Sequence, residues 1–301
     1  VSFFTPIDTY SQNLIDLIPG LVNRWGGPRL FKPALVFSAL MLPLLLACGS
    51  SQPRPTSSGN ALAVVTTTAL LADLVRNVGG DLVAVTALVP PGAEVHSFQS
   101  TPADSVAISR AALVVSNGGE LGGFLDPVIQ GSLSGDAVRV IAAGPLLESQ
   151  DDDPHFWQNP VFTMMYIEEI RDGLIAADPE NTAAYRANFD SYKDKLTKLD
   201  FDMSSTLNTV APANRQLITF HDAFGHFGRR YGWEVTAFVA SDGGDISPGR
   251  VVEILEQVRD QGIPTVFAEP QFRADVLLNA AQEAGVEVGV IYSDALDGEV
   301  A

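Results

Sequence analysis

The sequence predicts an α/β protein in which two Rossmann-like lobes with parallel sheets are joined by a long rigid helix. Apolar, β-branched runs alternate with helical stretches in the first half of the chain, which indicates βαβ units around a parallel sheet. At 301 residues the chain is long enough for two such lobes. The elements predicted for the first lobe are strands at Ala61–Thr66, Val83–Val89, Leu113–Ser116 and Val138–Ala142, and helices at Ala69–Val78 and Thr101–Ala111.

A long helix is predicted between the lobes. Asp178 followed by Pro179 is a typical helix start, because proline is favoured at the first helical position. No glycine follows before Pro212, and about 30 residues of helix would extend roughly 45 Å. A connector of this stiffness predicts limited lobe motion. Apolar residues recur along it at steps of three or four, at Tyr185, Phe189, Tyr192, Leu196, Leu199, Met203 and Leu207.

The alternation of strands and helices resumes in the second half of the chain. We therefore divide the folded part into a first lobe at 61–178, a linking helix at 179–210 and a second lobe at 211–301. The elements predicted for the second lobe are strands at Leu217–Phe220, Glu234–Val239, Thr265–Ala268 and Glu287–Tyr292, and a helix at Pro248–Gln261.

The first 60 residues are typical of export and anchoring. Arg24, Arg29 and Lys32 precede an apolar run at 34–47, which is too short to span a membrane as a mature helix. The run ends in Leu-Leu-Ala-Cys, which resembles a bacterial lipobox and implies cleavage before Cys48 and lipid attachment to its thiol. We predict a signal peptide at 1–47, a flexible tether at 48–60 and a lipid-anchored, extracytoplasmic protein. The alternative is a buried apolar helix with a chance cysteine.

Composition and charge exclude several classes of function. The formal net charge is −18, from 18 Lys and Arg against 36 Asp and Glu, which disfavours nucleic acid as a partner. The charge is compatible with a cation as ligand, although acidic surfaces are also common for solubility. The single cysteine excludes an internal disulfide, and the sequence has no phosphate-binding Gly-Lys-Ser/Thr loop, no Gly-x-Ser-x-Gly elbow and no Cys-x-x-Cys pair.

Three of the four histidines lie where a metal ion could be held. His96, His155 and His221 each follow a predicted strand, and Asp294 follows another. Ligands of open α/β sheets bind beyond the carboxyl ends of strands, so these four side chains, two from each lobe, can meet in the cleft between the lobes. Imidazole nitrogen and carboxylate oxygen suit Zn²⁺. The alternative for any single histidine is a surface or core position, and we assign His226 to packing or the surface.

Two further carboxylates are candidates for orienting a ligating imidazole. Asp222 and Glu269 lie at strand ends, as such partners usually must. Each could equally be an ordinary helix cap. The run Asp151–Asp153 before His155 is read as a solvated loop, with a weak metal-collecting role as the alternative.

Five motifs together resemble the zinc/manganese solute-binding proteins of bacterial ABC transporters. They are PGAEVHSFQSTPAD, DPHFWQNP, HDAFGHFGRRYG, FAEPQ and SDAL, within 62–296. The resemblance implies metal ligation by His96, His155, His221 and Asp294, delivery to a membrane permease, and a monomer. The family has His or Glu at the third position, so His221 favours Zn²⁺, with Mn²⁺ possible. Family members usually continue into a further helix beyond the position of Ala301, so we expect either a truncated sequence or a second lobe that packs differently.

Two other functions stay open at this point. A zinc hydrolase would use the same three histidines with water as fourth ligand and Glu269 or Asp222 as base. This alternative requires that Asp294 does not bind the metal. A surface adhesin is the second alternative. The lipobox and the family motifs favour the metal receptor, which catalyses no reaction.

Overall fold

The first four strands form one parallel sheet. The computed structural model describes residues 61–296 except 120, 122, 150–152, 241–246, 273–274 and 295. The strand order is β2-β1-β3-β4, and every residue of the central β3 is buried, which explains its purely apolar run before Ser116. The strands are β1 (Leu62–Thr68), β2 (Val83–Val89), β3 (Leu113–Ser116) and β4 (Val138–Ile141).

Two helices of the first lobe begin at a residue whose side chain accepts a hydrogen bond from the first turn. The Thr68 hydroxyl accepts a hydrogen bond from the Leu71 backbone N–H at the start of the first helix. Asn159 caps the fourth helix in the same way, with Pro160 at its first position. The helices are α1 (Ala69–Gly79), α2 (Pro102–Arg110), α3 (Asp126–Ser132) and α4 (Pro160–Ala177).

The linking helix α5 (Thr182–Leu207) has 26 residues and begins later than predicted. Residues Pro179–Asn181 form a 3₁₀ turn instead of the first α-helical turn. The Asp178 carboxylate accepts hydrogen bonds from Asn181 Nδ2 (2.6 Å) and the Tyr185 hydroxyl (2.7 Å), which holds this tighter turn. At 1.5 Å per residue the α-helix is about 39 Å long. Its buried residues are the seven predicted from the sequence.

The second lobe repeats the parallel arrangement, with strand order β6-β5-β7-β8. Three helices cover it in the described part of the chain. One of them contacts the linking helix: Arg230 and Tyr231 of α6 both donate to the carboxylate of Asp200 on α5. The elements are β5 (Gln216–His221), α6 (Gly225–Tyr231), β6 (Glu234–Val239), α7 (Pro248–Asp260), β7 (Thr265–Ala268), α8 (Asp275–Ala284) and β8 (Glu287–Val290).

One apolar core joins the lobes through α5. Buried residues of this core include Leu71 in the first lobe, Tyr185 on α5, and Phe224 and Trp233 in the second lobe. Continuous packing of this kind fixes the lobes against each other in this structure. The predicted fold class is confirmed, while the lobe boundaries at 178/179 and 210/211 stay predictions.

Several element ends differ from the sequence prediction by one to three residues. Strand β5 includes His221, so this histidine ends the strand instead of following it. Strand β8 stops at Val290, and after Ile291 donates to the Ala268 carbonyl the chain leaves the sheet toward Asp294. Helix α6 starts at Gly225, four residues after His221. The signal peptide, the tether and Cys48 lie outside the described residues, in which no helix is long and apolar enough to cross a membrane.

Candidate metal centre

Three imidazoles and one carboxylate meet between the two lobes. His96, His155, His221 and Asp294 each offer one ligand atom, and these atoms lie within 4.8 Å of one another. Asp294 Oδ2 lies 3.5 Å from His96 Nε2 and 3.2 Å from His221 Nε2. Asp294 Oδ1 lies 3.5 Å from His155 Nε2. Within the described ranges, this is the one group of His, Cys, Asp and Glu side chains that could hold a metal ion.

The four groups are buried, and their facing atoms lack hydrogen-bond partners. The side chains of His155 and His221 are 0% exposed and that of Asp294 is 1% exposed, while His96 retains 13%. Nε2 of each histidine and both carboxylate oxygens of Asp294 are buried without a hydrogen bond. Buried polar atoms are nearly always paired, so unpaired atoms aimed at one point indicate a ligand that binds there.

Strand ends bring these side chains together. His221 is the last residue of β5 and lies in register with Val239 of β6. Asp294 follows β8 by four residues, and His96 follows β2 by seven. His155 precedes the short 3₁₀ turn Phe156–Gln158 that leads into α4. The structure therefore brings together all four residues that were selected from strand-end position, two from each lobe.

Two of the imidazoles are each oriented by a carboxylate, which accepts a hydrogen bond from the backbone N–H of the histidine and also contacts its Nδ1. The Asp153 carboxylate accepts from the His155 backbone N–H (3.0 Å) and faces its Nδ1 (2.8 Å). Glu269 accepts from the His221 backbone N–H (3.0 Å) and lies 2.5 Å from its Nδ1. A carboxylate on Nδ1 keeps the proton on that nitrogen, which leaves Nε2 free to bind a metal ion.

Glu94 holds the third histidine by its backbone. Its carboxylate accepts from the His96 N–H (2.5 Å) and the Ser97 N–H (2.7 Å). Glu94 and Asp153 both stand two residues before their histidines, so the same local arrangement occurs twice in the first lobe. Glu94 was not selected from the sequence. The signal that could have found it is this carboxylate-x-histidine spacing.

The electrostatics of the site favour a positive charge at its centre. Burial would lower the pKa of His221, but the carboxylates of Asp294 and Glu269 raise it to about 10. Burial would raise the pKa of Asp294, but the facing imidazoles of His155, His221 and His96 hold it well below its usual range. Two buried carboxylates thus face His221, and a bound cation would compensate their charge.

The Asp294 loop is held from both lobes. Trp157 Nε1 (2.9 Å) and Gln158 Nε2 (3.3 Å) of the first lobe donate to the Ser293 backbone carbonyl. The Ser293 hydroxyl in turn donates to Glu269 within the second lobe. The hydrogen bonds of Trp157 and Gln158 could not be predicted from local sequence patterns, because Ser293 is more than 130 residues away along the chain.

The structure separates the remaining candidates from the sequence by what their side chains contact. Asp222 is exposed and lines an open cavity of about 570 Å³ beside β6, whereas Glu269 contacts His221. Although the residue is exposed, neighbouring groups remove part of the water around its carboxylate, and this desolvation, followed by the nearby charge of Asp153, raises the pKa of Asp222. His226 is buried against Phe156, with ring centroids 4.4 Å apart, so of the two predicted positions, packing or the surface, it occupies the first. Asp153 lies against His155 and is not part of a fully solvated loop.

A known protein family matches most of this chain. The family model described as "Zinc-uptake complex component A periplasmic" matches residues 64–301. The chain belongs to this family. Membership in the zinc-uptake family confirms the predicted class of function, a solute-binding protein of a metal ABC transporter and not an enzyme.

Relatives within this class carry names that refer to several metals. The manganese-binding lipoprotein MntA of Halalkalibacterium halodurans is 29% identical over 271 residues, which cover 88% of this chain and 90% of that protein. The iron-binding protein YfeA of Yersinia pestis is 29% identical over 288 residues, 93% of this chain and 92% of that protein.

Solved structures of metal-binding proteins share the fold of this chain. The periplasmic zinc binding protein TroA from Treponema pallidum superposes with a TM-score of 0.74 at 26% identity, covering 81% of this chain and 92% of that chain. The Mn-bound periplasmic metal binding protein from Candidatus Liberibacter asiaticus gives a TM-score of 0.70 at 25% identity, covering 80% of this chain and 92% of that chain.

Proposed function

We propose that the protein captures one divalent transition-metal ion, with zinc preferred, through His96, His155, His221 and Asp294, and delivers it to a membrane permease. The observation that carries the proposal is the convergence of five buried, unpaired ligand atoms from both lobes. Three neutral imidazoles and one carboxylate leave a net charge of +1 on a divalent ion. The nearby carboxylates of Asp153 and Glu269, which contact His155 and His221, more than offset this charge.

The donor types of the site, three imidazoles and one carboxylate, and part of its spacing support zinc. In a tetrahedral site with bonds of about 2.0–2.1 Å, ligand atoms lie about 3.4 Å apart. Asp294 Oδ2 lies near this distance from Nε2 of His96 (3.5 Å) and His221 (3.2 Å), whereas Nε2 of His155 faces the other oxygen, Oδ1, at 3.5 Å. Manganese is the competing ion, because both oxygens of Asp294 face imidazoles and could bind together as a bidentate ligand. Relatives named for manganese and iron make this comparison necessary.

Capture and release follow from ligands that belong to two lobes. Closure brings His221 and Asp294 of the second lobe onto His96 and His155 of the first. His96 is the ligand with the largest exposure, so the ion enters on its side. Release requires a shift of the second lobe that withdraws Asp294 or His221. The continuous core through the linking helix favours a small shift over a wide hinge opening.

A competition experiment tests the choice of ion. The purified protein is stripped with chelator and titrated with zinc and with manganese against a fluorescent chelator of known affinity for each. We expect one ion per chain and tighter binding of zinc. Tighter binding of manganese would overturn the preference for zinc, and binding of neither ion would overturn the proposed function.

The protein works from a lipid anchor at Cys48 in this proposal. The basic residues, the apolar run at 34–47 and the Leu-Leu-Ala-Cys end support it. Changing Cys48→Ala is expected to release the protein from the membrane fraction or to stop its processing. A Cys48→Ala variant that fractionates and migrates like the wild type would exclude the anchor.

A further inference from the structure

The fourth histidine, His226, links the second lobe to the metal-site loop of the first lobe. It lies on α6, is 2% exposed, and its Nε2 is 2.9 Å from the backbone carbonyl oxygen of Asp153. Its ring packs on Phe156 and meets the edge of Phe162 at a centroid distance of 5.4 Å. This ring therefore crosses the lobe interface directly beside the loop that carries His155.

The two partners of His226 determine its tautomer. Arg229 Nη2 lies 2.9 Å from His226 Nδ1, and a guanidinium can only donate a hydrogen bond. Nδ1 must then accept, and the ring proton resides on Nε2. The Asp153 carbonyl can only accept, so Nε2–H donates to it. Both nitrogens of a neutral His226 are thus used, and the contact with Asp153 is directional.

Asp153, which His226 contacts, is in turn in contact with His155 of the metal centre. Its carboxylate accepts from the backbone N–H of His155 and faces Nδ1 of the same residue. Helix α6 approaches this carboxylate closely, because a Cβ atom at Gly225 would lie 2.6 Å from Asp153 Oδ2. Position 225 therefore has room for glycine alone unless Asp153 moves.

We propose that His226 is a positioning residue of the metal site, which holds Asp153 and thereby the ring of His155 in the orientation that binds the ion. The inference rests on the proposed function, in which His155 is a ligand. When the lobes part, the bond from His226 to Asp153 breaks, and His155 loses its support while His221 and Asp294 withdraw. Release then weakens ligands of both lobes together.

The test compares two substitutions at position 226. His226→Phe keeps the aromatic packing on Phe156 and Phe162 but removes both hydrogen bonds, whereas His226→Gln can donate to the Asp153 carbonyl and accept from Arg229. Zinc-loaded protein is mixed with excess chelator and the dissociation rate is measured. We expect dissociation about tenfold faster in His226→Phe, the lower end of the effect of losing a partner that orients a ligand, and a near wild-type rate in His226→Gln.

A double variant with a substitution at Asp153 distinguishes a positioning role of His226 from a general loss of stability. If His226 acts through Asp153, His226→Phe adds little to the rate of an Asp153→Asn variant, since coupled residues are not additive. Gly225→Ala, which displaces the Asp153 carboxylate, should also speed dissociation. Should His226→Phe melt at a lower temperature yet release zinc at the wild-type rate, its role is structural and the inference is wrong. Additive effects with Asp153→Asn would also overturn it.

The outcome distinguishes this inference from the function on which it rests. A wild-type protein that binds no zinc, or a His155→Ala variant that binds it normally, would overturn both. A wild type that binds zinc and loses it in His155→Ala, with no effect of His226→Phe, would overturn the positioning role alone.

Discussion

Replacing Glu269 by Gln is predicted to weaken zinc binding, while replacing Asp222 by Asn is not. Both carboxylates follow strands of the second lobe, and the sequence offered them as equal candidates. Glu269 is 1% exposed and contacts both the backbone N–H and the Nδ1 of His221. Asp222 is exposed. The pair therefore compares an oriented carboxylate with a solvated one at similar places in the fold.

The magnitude follows from the contacts that Glu269 makes. Its Oε2 accepts from the Ser293 hydroxyl and from Gln271 Nε2 (3.3 Å) and faces His221 Nδ1. In Glu269→Gln an amide N–H₂ must replace one oxygen and then faces other donors. Loss of such a partner costs about 10- to 100-fold in metal affinity. This corresponds to about 1.4–2.8 kcal/mol of binding free energy.

Competition with a fluorescent chelator measures both affinities, and circular dichroism checks that each variant folds. We expect Asp222→Asn to bind zinc within about twofold of the wild type, a free-energy change of about 0.4 kcal/mol. Equal weakening in both variants would show that charge near the site matters instead of contact with His221. Wild-type affinity in Glu269→Gln would refute the orienting role.

Three further predictions concern the ion, its fourth ligand and stability without metal. Chelation should lower the melting temperature without unfolding the chain, because a free ion at 100 times its dissociation constant stabilises the folded state by about 2.7 kcal/mol. Coincident melting curves with and without chelator, or outright unfolding in chelator, would contradict this prediction. Asp294→Ala should weaken zinc binding in a titration, whereas a hydrolase would retain zinc on three histidines with water in the vacant position. Burial raises the pKa of Asp73 from 3.8 to about 6 against the opposing effects of Arg76 and Asn77. The folded state then holds this proton more tightly than the unfolded state, so the contribution of Asp73 to the free energy of unfolding in chelator should rise as pH falls from 7 toward 4. Asp73→Asn should be up to about 3 kcal/mol more stable than the wild type at pH 7, and this difference should close near pH 4. Denaturant unfolding at pH 7 and pH 4 measures the difference. Equal stability of the two proteins at pH 7 would contradict a buried, destabilising Asp73 carboxylate.

Local patterns in the sequence were sufficient for the strands, for the linking helix and for selecting the four side chains that the structure brings together between the lobes. Periodicity identified the buried face of the linking helix from Tyr185 to Leu207, because spacing along one helix determines which residues share a face. The strand-end rule selected His96, His155, His221 and Asp294, because parallel strands end at one edge of a sheet.

Contacts between the lobes could not be predicted in this way. The bond from Trp157 to the Ser293 carbonyl and the bond from His226 to Asp153 depend on how two separately patterned lobes pack together. No local period encodes such a pairing. For the same reason the sequence left Asp222 and Glu269 equivalent, and the structure alone separates the exposed carboxylate from the one that meets His221.

Element ends were missed where side chains compete with regular backbone hydrogen bonds. The Asp178 carboxylate binds the Asn181 side chain and the Tyr185 hydroxyl, and it thereby delays the start of the linking helix. Such local competition is a known property of Asp and Asn side chains. It changes an element by a few residues and leaves the fold class unaffected.

Metal analysis of protein purified without chelator tests the central claim most directly. The wild type is compared with a variant that carries His155→Ala and His221→Ala, one ligand from each lobe. We predict about one zinc ion per wild-type chain, with an absorption-edge spectrum of nitrogen and oxygen ligands, and no bound metal in the variant. A wild type without metal, or a folded variant that retains the full zinc content, would contradict the assignment of this site.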